Sequence, residues 1–257
     1  MKKRSIAAVL AAVTVGFPFL CVRPILAQGT EIHVFVSNGV KSVIDELRPQ
    51  AERAIGHSMA IQFGTTASLK QKIEAGEAFD AAILTSEAVA DLVKEGKVAS
   101  GTRADLARCG IGVGVRAGAS KPDIRTPDSL KRTLLSAKSI TYAKDGASRA
   151  YLDKMFERLG IAAEMKSKTL LAQGSVGSNA LVKDGQAELI LTLVSEILPA
   201  AGVELVGPLP ADVQSYVNFA AGVSTKASNA AAGEALIRFL KASGATPIYK
   251  AKGLEPR

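Results

Sequence analysis

A strand-like run, a polar turn and a run with helical spacing follow one another three times between residues 31 and 95, and this repeat constrains the fold more than any other feature of the sequence. Residues 31–36 (EIHVFV) are rich in β-formers and end at Ser37, Asn38 and Gly39, after which Val40, Val43, Ile44 and Leu47 recur at helical spacing. The order returns in 59–63, the turn GTTAS and a helix through Leu69 and Ile73. It returns again in 81–84, Thr85-Ser86 and a helix through Val89 and Val93. Joints this short between alternating strands and helices predict a parallel α/β sheet rather than a sandwich or a bundle.

Residues 109–115 (CGIGVGV) read as a further strand, and beyond them the alternation starts afresh, which predicts a second lobe. Thr126-Pro127-Asp128 has the order of a helix cap with Pro just inside the start. A strand at 139–142, an amphipathic helix at 148–159 (SRAYLDKMFERL) closed by Gly160, a strand at 167–171, a helix at 177–183 and an apolar strand at 188–194 follow. After a late strand at 216–223, helices at 230–242 and 247–252 have nothing new to cover in the second lobe and are expected to return to the first. The chain is thus divided into lobe 1, residues 28–108 plus 214–257, and lobe 2, residues 109–213. Each is expected to be a mixed, mainly parallel sheet flanked by helices, with two crossovers near 108 and 214 that form a hinge around a cleft. A chain of 257 residues has the length for this, since it hides roughly 70–75% of its unfolded surface without metals or cross-links.

The formal charge of +8 suggests a nucleic-acid partner until its distribution is considered. Lys2, Lys3, Arg4 and Arg23 lie in the first 27 residues with no acid, so the rest of the chain carries 28 cations against 24 acids. Aromatic residues make up 5% of the chain and Trp is absent, so the stacking surface of single-strand binders is missing and no nucleic-acid partner is expected. Lys2-Lys3-Arg4, the apolar run 5–20 and Ile25-Leu26-Ala27 read together as a signal peptide over residues 1–27, cleaved after Ala27, which places the mature chain in the periplasm. Cleavage also removes Cys21, leaving Cys109 without a disulfide partner in an apolar run where a buried thiol is expected.

Three polar turns follow strand ends: Ser37-Asn38-Gly39, Thr65-Thr66 and Gly146-Ala147-Ser148. Their backbone N–H groups and hydroxyls, at the carboxyl ends of strands in an open α/β sheet, compose a site for an anion, although Ser, Thr and Asn are also the ordinary helix caps. The stretches VFVSNGVKSVIDEL, QFGTTASLKQKIEAGEAFDAAI and GASRAYLDKMFERLGI resemble, in order and spacing, the type 2 periplasmic solute-binding proteins of the molybdate-binding family. The resemblance extends over most of residues 31–253. It implies the periplasmic-binding-protein type 2 fold, an oxyanion held in the cleft by hydroxyls and amides, and delivery to the permease of an ABC importer by a monomeric receptor.

Carried over by position, the family's first serine falls on Gly39, beside Ser37 and Asn38. Its second hydroxyl falls on Thr66, an amide on Ser148, another near Val176, and the pocket tyrosine at about Leu193. Gly39 and Leu193 depart from the pattern and remove two hydroxyl donors, which counts against molybdate or tungstate because unpaired buried polar groups cost roughly 1–3 kcal/mol each. Arg149 stands where the family has a small residue, and a guanidinium aimed into the cleft suits a carboxylate. The serine-asparagine-glycine turn and the missing tyrosine also resemble a divergent branch that includes aconitate isomerase. The primary expectation is therefore a receptor for a small oxyanion or carboxylate, and the alternative is isomerisation of aconitate on the same scaffold. No Ser-His-Asp order, HExxH, CxxC or P-loop occurs, so no cofactor or metal is expected. An allylic proton shift needs one base, for which Asp145 and Glu196 are candidates.

Overall fold

The computed structural model describes residues 31–257; the expected signal peptide at 1–27 and Cys21 lie outside the described residues. The first arm is built as anticipated. The elements β1 (Ile32–Ser37), α1 (Lys41–Ile55), β2 (Met59–Gly64), α2 (Thr66–Glu74), β3 (Ala81–Thr85) and α3 (Ser86–Lys94) alternate, with β1 hydrogen-bonded in parallel between β2 and β3. The capping chemistry reads directly from the sequence. Thr65 and Thr85 accept the Ser68 and Ala88 amides at the starts of α2 and α3.

The next strand, β4 (Ala104–Arg116), is 13 residues long and belongs to both halves of the molecule. It leads into α4 (Pro127–Ser136), β5 (Ile140–Ala143), α5 (Arg149–Arg158), α6 (Ala162–Lys168), β6 (Thr169–Ala172), α7 (Gly174–Lys183), β7 (Leu189–Leu193), α8 (Val194–Ile197) and β8 (Val203–Pro208). The chain closes with β9 (Tyr216–Val223), α9 (Ala230–Lys241), α10 (Thr246–Ala251) and β10 (Leu254–Pro256). The first half of β4 pairs antiparallel with β9 and β10, and from Ile111 onward it pairs antiparallel with β7 and β8. Beyond β7, strands β5 and β6 continue the sheet in parallel. The sheet order β2-β1-β3-β9-β4-β7-β5-β6 is therefore mixed, parallel in both outer arms and antiparallel around the shared strand. This is the expected α/β class, with the chain passing between halves inside a strand rather than at its start.

The glycines of β4 explain that passage. Gly110, Gly112 and Gly114 share one face, while Ile111, Val113 and Val115 on the other are buried. A Cβ at 112 would lie 3.0 Å from Val194 and Leu205 side-chain atoms, and one at 114 would lie 2.8 Å from Ile190. The bare face thus lets α8, β7 and β8 close onto the strand. One apolar core runs through both halves from Ile32 to Leu254, and smaller clusters lie under α2 and α3 (Phe35, Leu69, Val89) and under α7 and α8 (Val182, Ile190, Ile197). Helices α9 and α10 pack on α1, as the spare closing helices lead one to expect. Among the described residues no helix is long and apolar enough to cross a membrane.

Five elements differ from the sequence expectation. Helix α6 replaces the start of the strand expected at 167, α7 begins three residues before 177, and α8 with β8 and β10 occupy stretches expected to be irregular.

Candidate functional site

The carboxyl ends of β1, β2, β3, β5, β6 and β7 face one another across the two halves, and the polar turns that follow them meet there. Ser37 is buried at the end of β1, and the Thr66 hydroxyl donates to its Oγ at 3.2 Å while accepting the Thr85 amide at 3.3 Å. Thr66 is therefore the joint between three strand ends of the first arm. Its neighbour Thr65 caps α2 and turns its hydroxyl outward, donating to Asp145 Oδ2 in the second arm at 3.1 Å. The same carboxylate accepts the Gln173 side-chain amide at 2.7 Å and, through Oδ1, the Gly174 N–H at 3.0 Å. Gly174 has φ of 62°, which favours glycine, and a Cβ there would approach Thr65 and Asn38 to within 4 Å. Asn38 and Thr65 thus meet the start of α7, with Asp145 as the bridge.

Ser148 is buried one residue before α5, in helical conformation, and its hydroxyl makes no cap bond. Arg149 turns aside. Its guanidinium donates to the Lys144 carbonyl at 2.7 Å and lies 3.6 Å from Asp153, and it does not line the cleft cavity. Val176 is 73% exposed on α7. It borders a hollow of about 380 Å³ with Asn38, Ser42, Asn179, Ser195 and Glu196, in which Ser42 Oγ and Asn179 Oδ1 are buried without a hydrogen-bond partner. Burial pushes the Glu196 carboxyl above its ordinary pKa, partly offset by bonds from the Thr192 and Ser175 hydroxyls.

Gly39 and Leu193, the two positions expected to depart from the family pattern, lie in one packing feature. A Cβ on Gly39 would lie 2.4 Å from Phe219 Cζ and 2.8 Å from Leu193 Cδ1. Both side chains are buried, so they fill the space that a serine at 39 would need. The Gly39 carbonyl, meanwhile, accepts the Ser195 hydroxyl at 2.6 Å.

Beside this closed spot lies a cleft cavity of about 390 Å³. One wall is the start of α2 and α3, with Thr66, Ala67, Thr85 and Glu87; the other is Asp145, Gly146 and one face of α5; Val217 is also part of the lining. Ala147, Ala150, Tyr151 and Lys154 have the i, i+3, i+4, i+7 spacing of a single helix face, opposite the buried Leu152, Met155 and Phe156. Burial, and then the Glu87 charge on the facing wall, raise the Tyr151 phenol above its ordinary pKa. Two other hollows of comparable volume lie elsewhere, one beside Arg116, Thr133 and Glu188 and one beside Arg103, Glu234 and Arg238. Neither is at the meeting of the strand ends. Among the described residues no group of three or more His, Cys, Asp or Glu side chains is placed to hold a metal ion.

The sequence profile of bacterial extracellular solute-binding proteins matches residues 32–255. The chain belongs to that family. This solute-binding protein is 30% identical over 256 aligned residues to aconitate isomerase of a Pseudomonas species, covering 96% of the chain and 97% of the relative. It is 25% identical to the molybdate-binding protein ModA of Azotobacter vinelandii, covering 88% and 90%. The solved structure of the periplasmic molybdate-binding protein of Azotobacter vinelandii superposes with a TM-score of 0.72 at 16% identity, over 87% of this chain and 98% of that one. The fold of the solute-binding protein is thus that of the molybdate-binding proteins, as the sequence resemblance implies.

Proposed function

We propose that this protein is an exported receptor that holds a small carboxylate in the cleft between its lobes and presents it to an ABC importer. The observation that carries the reading is the 390 Å³ cavity at the meeting of the strand ends. Its size falls in the roughly 300–1,000 Å³ range of small-molecule sites, well beyond what a tetrahedral oxyanion fills. The amides at the start of α2 and at Ala147 and the Lys154 ammonium are the donors in this reading, joined by the Thr66 hydroxyl once it turns from Ser37 Oγ to the ligand. The filled space over Gly39 supports a carboxylate over molybdate, since a serine hydroxyl at 39 has no room. In the same reading residues 1–27 direct export, and 28–108 with 214–257 close against 109–213. The change of β4 partners between Gly110 and Ile111 supports a hinge there.

The likeness to aconitate isomerase favours a second reading, in which the cleft moves a proton. A base takes a proton from the saturated methylene carbon of trans-aconitate, the double bond shifts by one position, and the proton returns to the former vinylic carbon, so nothing is gained or lost overall. Asp145, at the rim of the cavity, is the candidate base; Glu196 borders the separate hollow by α7. Proton NMR of trans-aconitate with the purified mature chain tests both readings. Saturation transfer to the ligand without cis-aconitate signals is expected for the receptor, cis-aconitate signals for the isomerase. A spectrum unchanged with trans-aconitate, and likewise with citrate, contradicts a carboxylate site of either kind.

A further inference from the structure

The donor set at the start of α7 already holds an anion, and it is the protein's own. Asp145 places Oδ1 on the Gly174 N–H at 3.0 Å and Oδ2 on the Gln173 amide at 2.7 Å and the Thr65 hydroxyl at 3.1 Å. A backbone amide at a helix start, a side-chain amide and a hydroxyl are the groups with which a cleft surrounds a small oxyanion. Here they come from both arms and converge on one side chain. The turn that carries it is pinned from behind, because Arg149 donates to the Lys144 carbonyl at 2.7 Å and the Lys144 amide donates to the Ala172 carbonyl at 2.9 Å.

We infer that Asp145 is a specificity-determining residue whose carboxylate occupies the donors at the start of α7 and so excludes free tetrahedral oxyanions from the cleft. The inference rests on the carboxylate reading of the cavity next to it. A tetrahedral oxyanion concentrates its charge at one point and must be ringed by donors. With Asp145 in place those donors are spent, and a second anion in their midst meets a like charge at contact range. An extended carboxylate escapes this conflict, because its charged ends spread along the cavity toward Thr66 and toward Lys154 at the far end of the α5 face. Leu193 and Phe219 act in the same direction by removing the space for a hydroxyl at 39.

The test is titration calorimetry of the mature chain and of Asp145→Gly and Asp145→Asn with molybdate, sulfate, citrate and trans-aconitate. Asp145→Gly frees the donors and removes the charge, whereas Asp145→Asn removes only the charge and keeps an acceptor for Gly174. The expected result is no measurable oxyanion binding by the parent chain, at least a tenfold gain in Asp145→Gly and a smaller gain in Asp145→Asn. Should the glycine variant not fold, a gain in the asparagine variant carries the inference and its absence overturns it. Folded variants that bind oxyanions no better than the parent, or a parent that already binds molybdate as tightly as Asp145→Gly, also overturn it. If the parent binds neither carboxylate while Asp145→Gly gains molybdate, the exclusion by Asp145 stands and the carboxylate reading falls.

Discussion

Gly39, Leu193 and Phe219 sit in a turn and two strands, yet they settle a single question of space. The nearest contact of a Cβ at 39 is the tip of a fully buried aromatic ring. Restoring the family residue with Gly39→Ser is therefore expected to lower stability by about 1–3 kcal/mol through overpacking, read as a lower urea midpoint. An unchanged midpoint contradicts the packing account. Thr66→Val removes the hydroxyl that joins Ser37 to the Thr85 amide and is expected to weaken ligand binding at least tenfold, about 1.4 kcal/mol, with a cooperative melt retained. Equal affinity by calorimetry makes Thr66 a structural joint only. Cys109 is fully buried and its thiol is pushed up to about 11 by burial, so the native chain is expected to resist iodoacetamide at pH 8. At this scale the turns at Ser37, Thr65 and Thr66 are legible because capping preferences are local. The bridging place of Asp145 is not, since its partners lie 28, 29 and 80 positions away. The exposure of Arg149 is equally invisible, because only the fold shows which side of α5 faces the cleft.

Between elements, Asp80 makes the joint that ties the sheet to the closing helix. It is buried and accepts the His33 amide at 2.8 Å, the Asn229 amide at 3.0 Å and the Ser228 hydroxyl at 2.9 Å. Burial alone raises its pKa, but these hydrogen bonds outweigh burial and hold the carboxyl below its ordinary value. A depressed folded pKa stabilises above the ordinary carboxylate pKa and ceases to do so as pH falls through the folded value. Asp80→Asn is thus expected to cost about 1–3 kcal/mol at pH 7, with the gap to the parent narrowing below pH 3.8. A gap independent of pH in acid melts contradicts this. Glu196 behaves with the opposite sign: burial raises its pKa, so its contribution is fully present below the ordinary value of 4.5 and is lost as pH rises from there through the raised folded value. Glu196→Gln should therefore gain in melting temperature relative to the parent between a pH below 4.5 and pH 8, and an equal difference at the two ends refutes the assignment. Elements with strong periodicity, such as α1, β3 and β9, are plain in the sequence. The short α8 is not, because its four residues are too few to show a helical period and Val194 continues the apolar run of β7. In α6 Met165 is the buried residue, too little apolar patterning to separate it from the strand that follows.

For the whole molecule, the three repeats of strand, turn and helix and the fresh start after residue 115 suffice to read a two-armed α/β protein with a cleft. What the pattern does not reveal is that β4 pairs with strands of both arms, or that Leu193 and Phe219 close the space over Gly39 while a cavity lies beside it. The cavity beside Thr66 and Asp145 is proposed to take a small carboxylate in preference to an oxyanion. The most direct measurement is the melting temperature of the mature chain with citrate, trans-aconitate, cis-aconitate, molybdate, sulfate and phosphate, each at matched ionic strength. A ligand at 100 times its Kd adds about 2.7 kcal/mol, which for a chain of this size is a rise of roughly 5–10 °C. The account predicts such a rise with at least one of the three carboxylates and none with the oxyanions; a rise with molybdate or sulfate alone contradicts it.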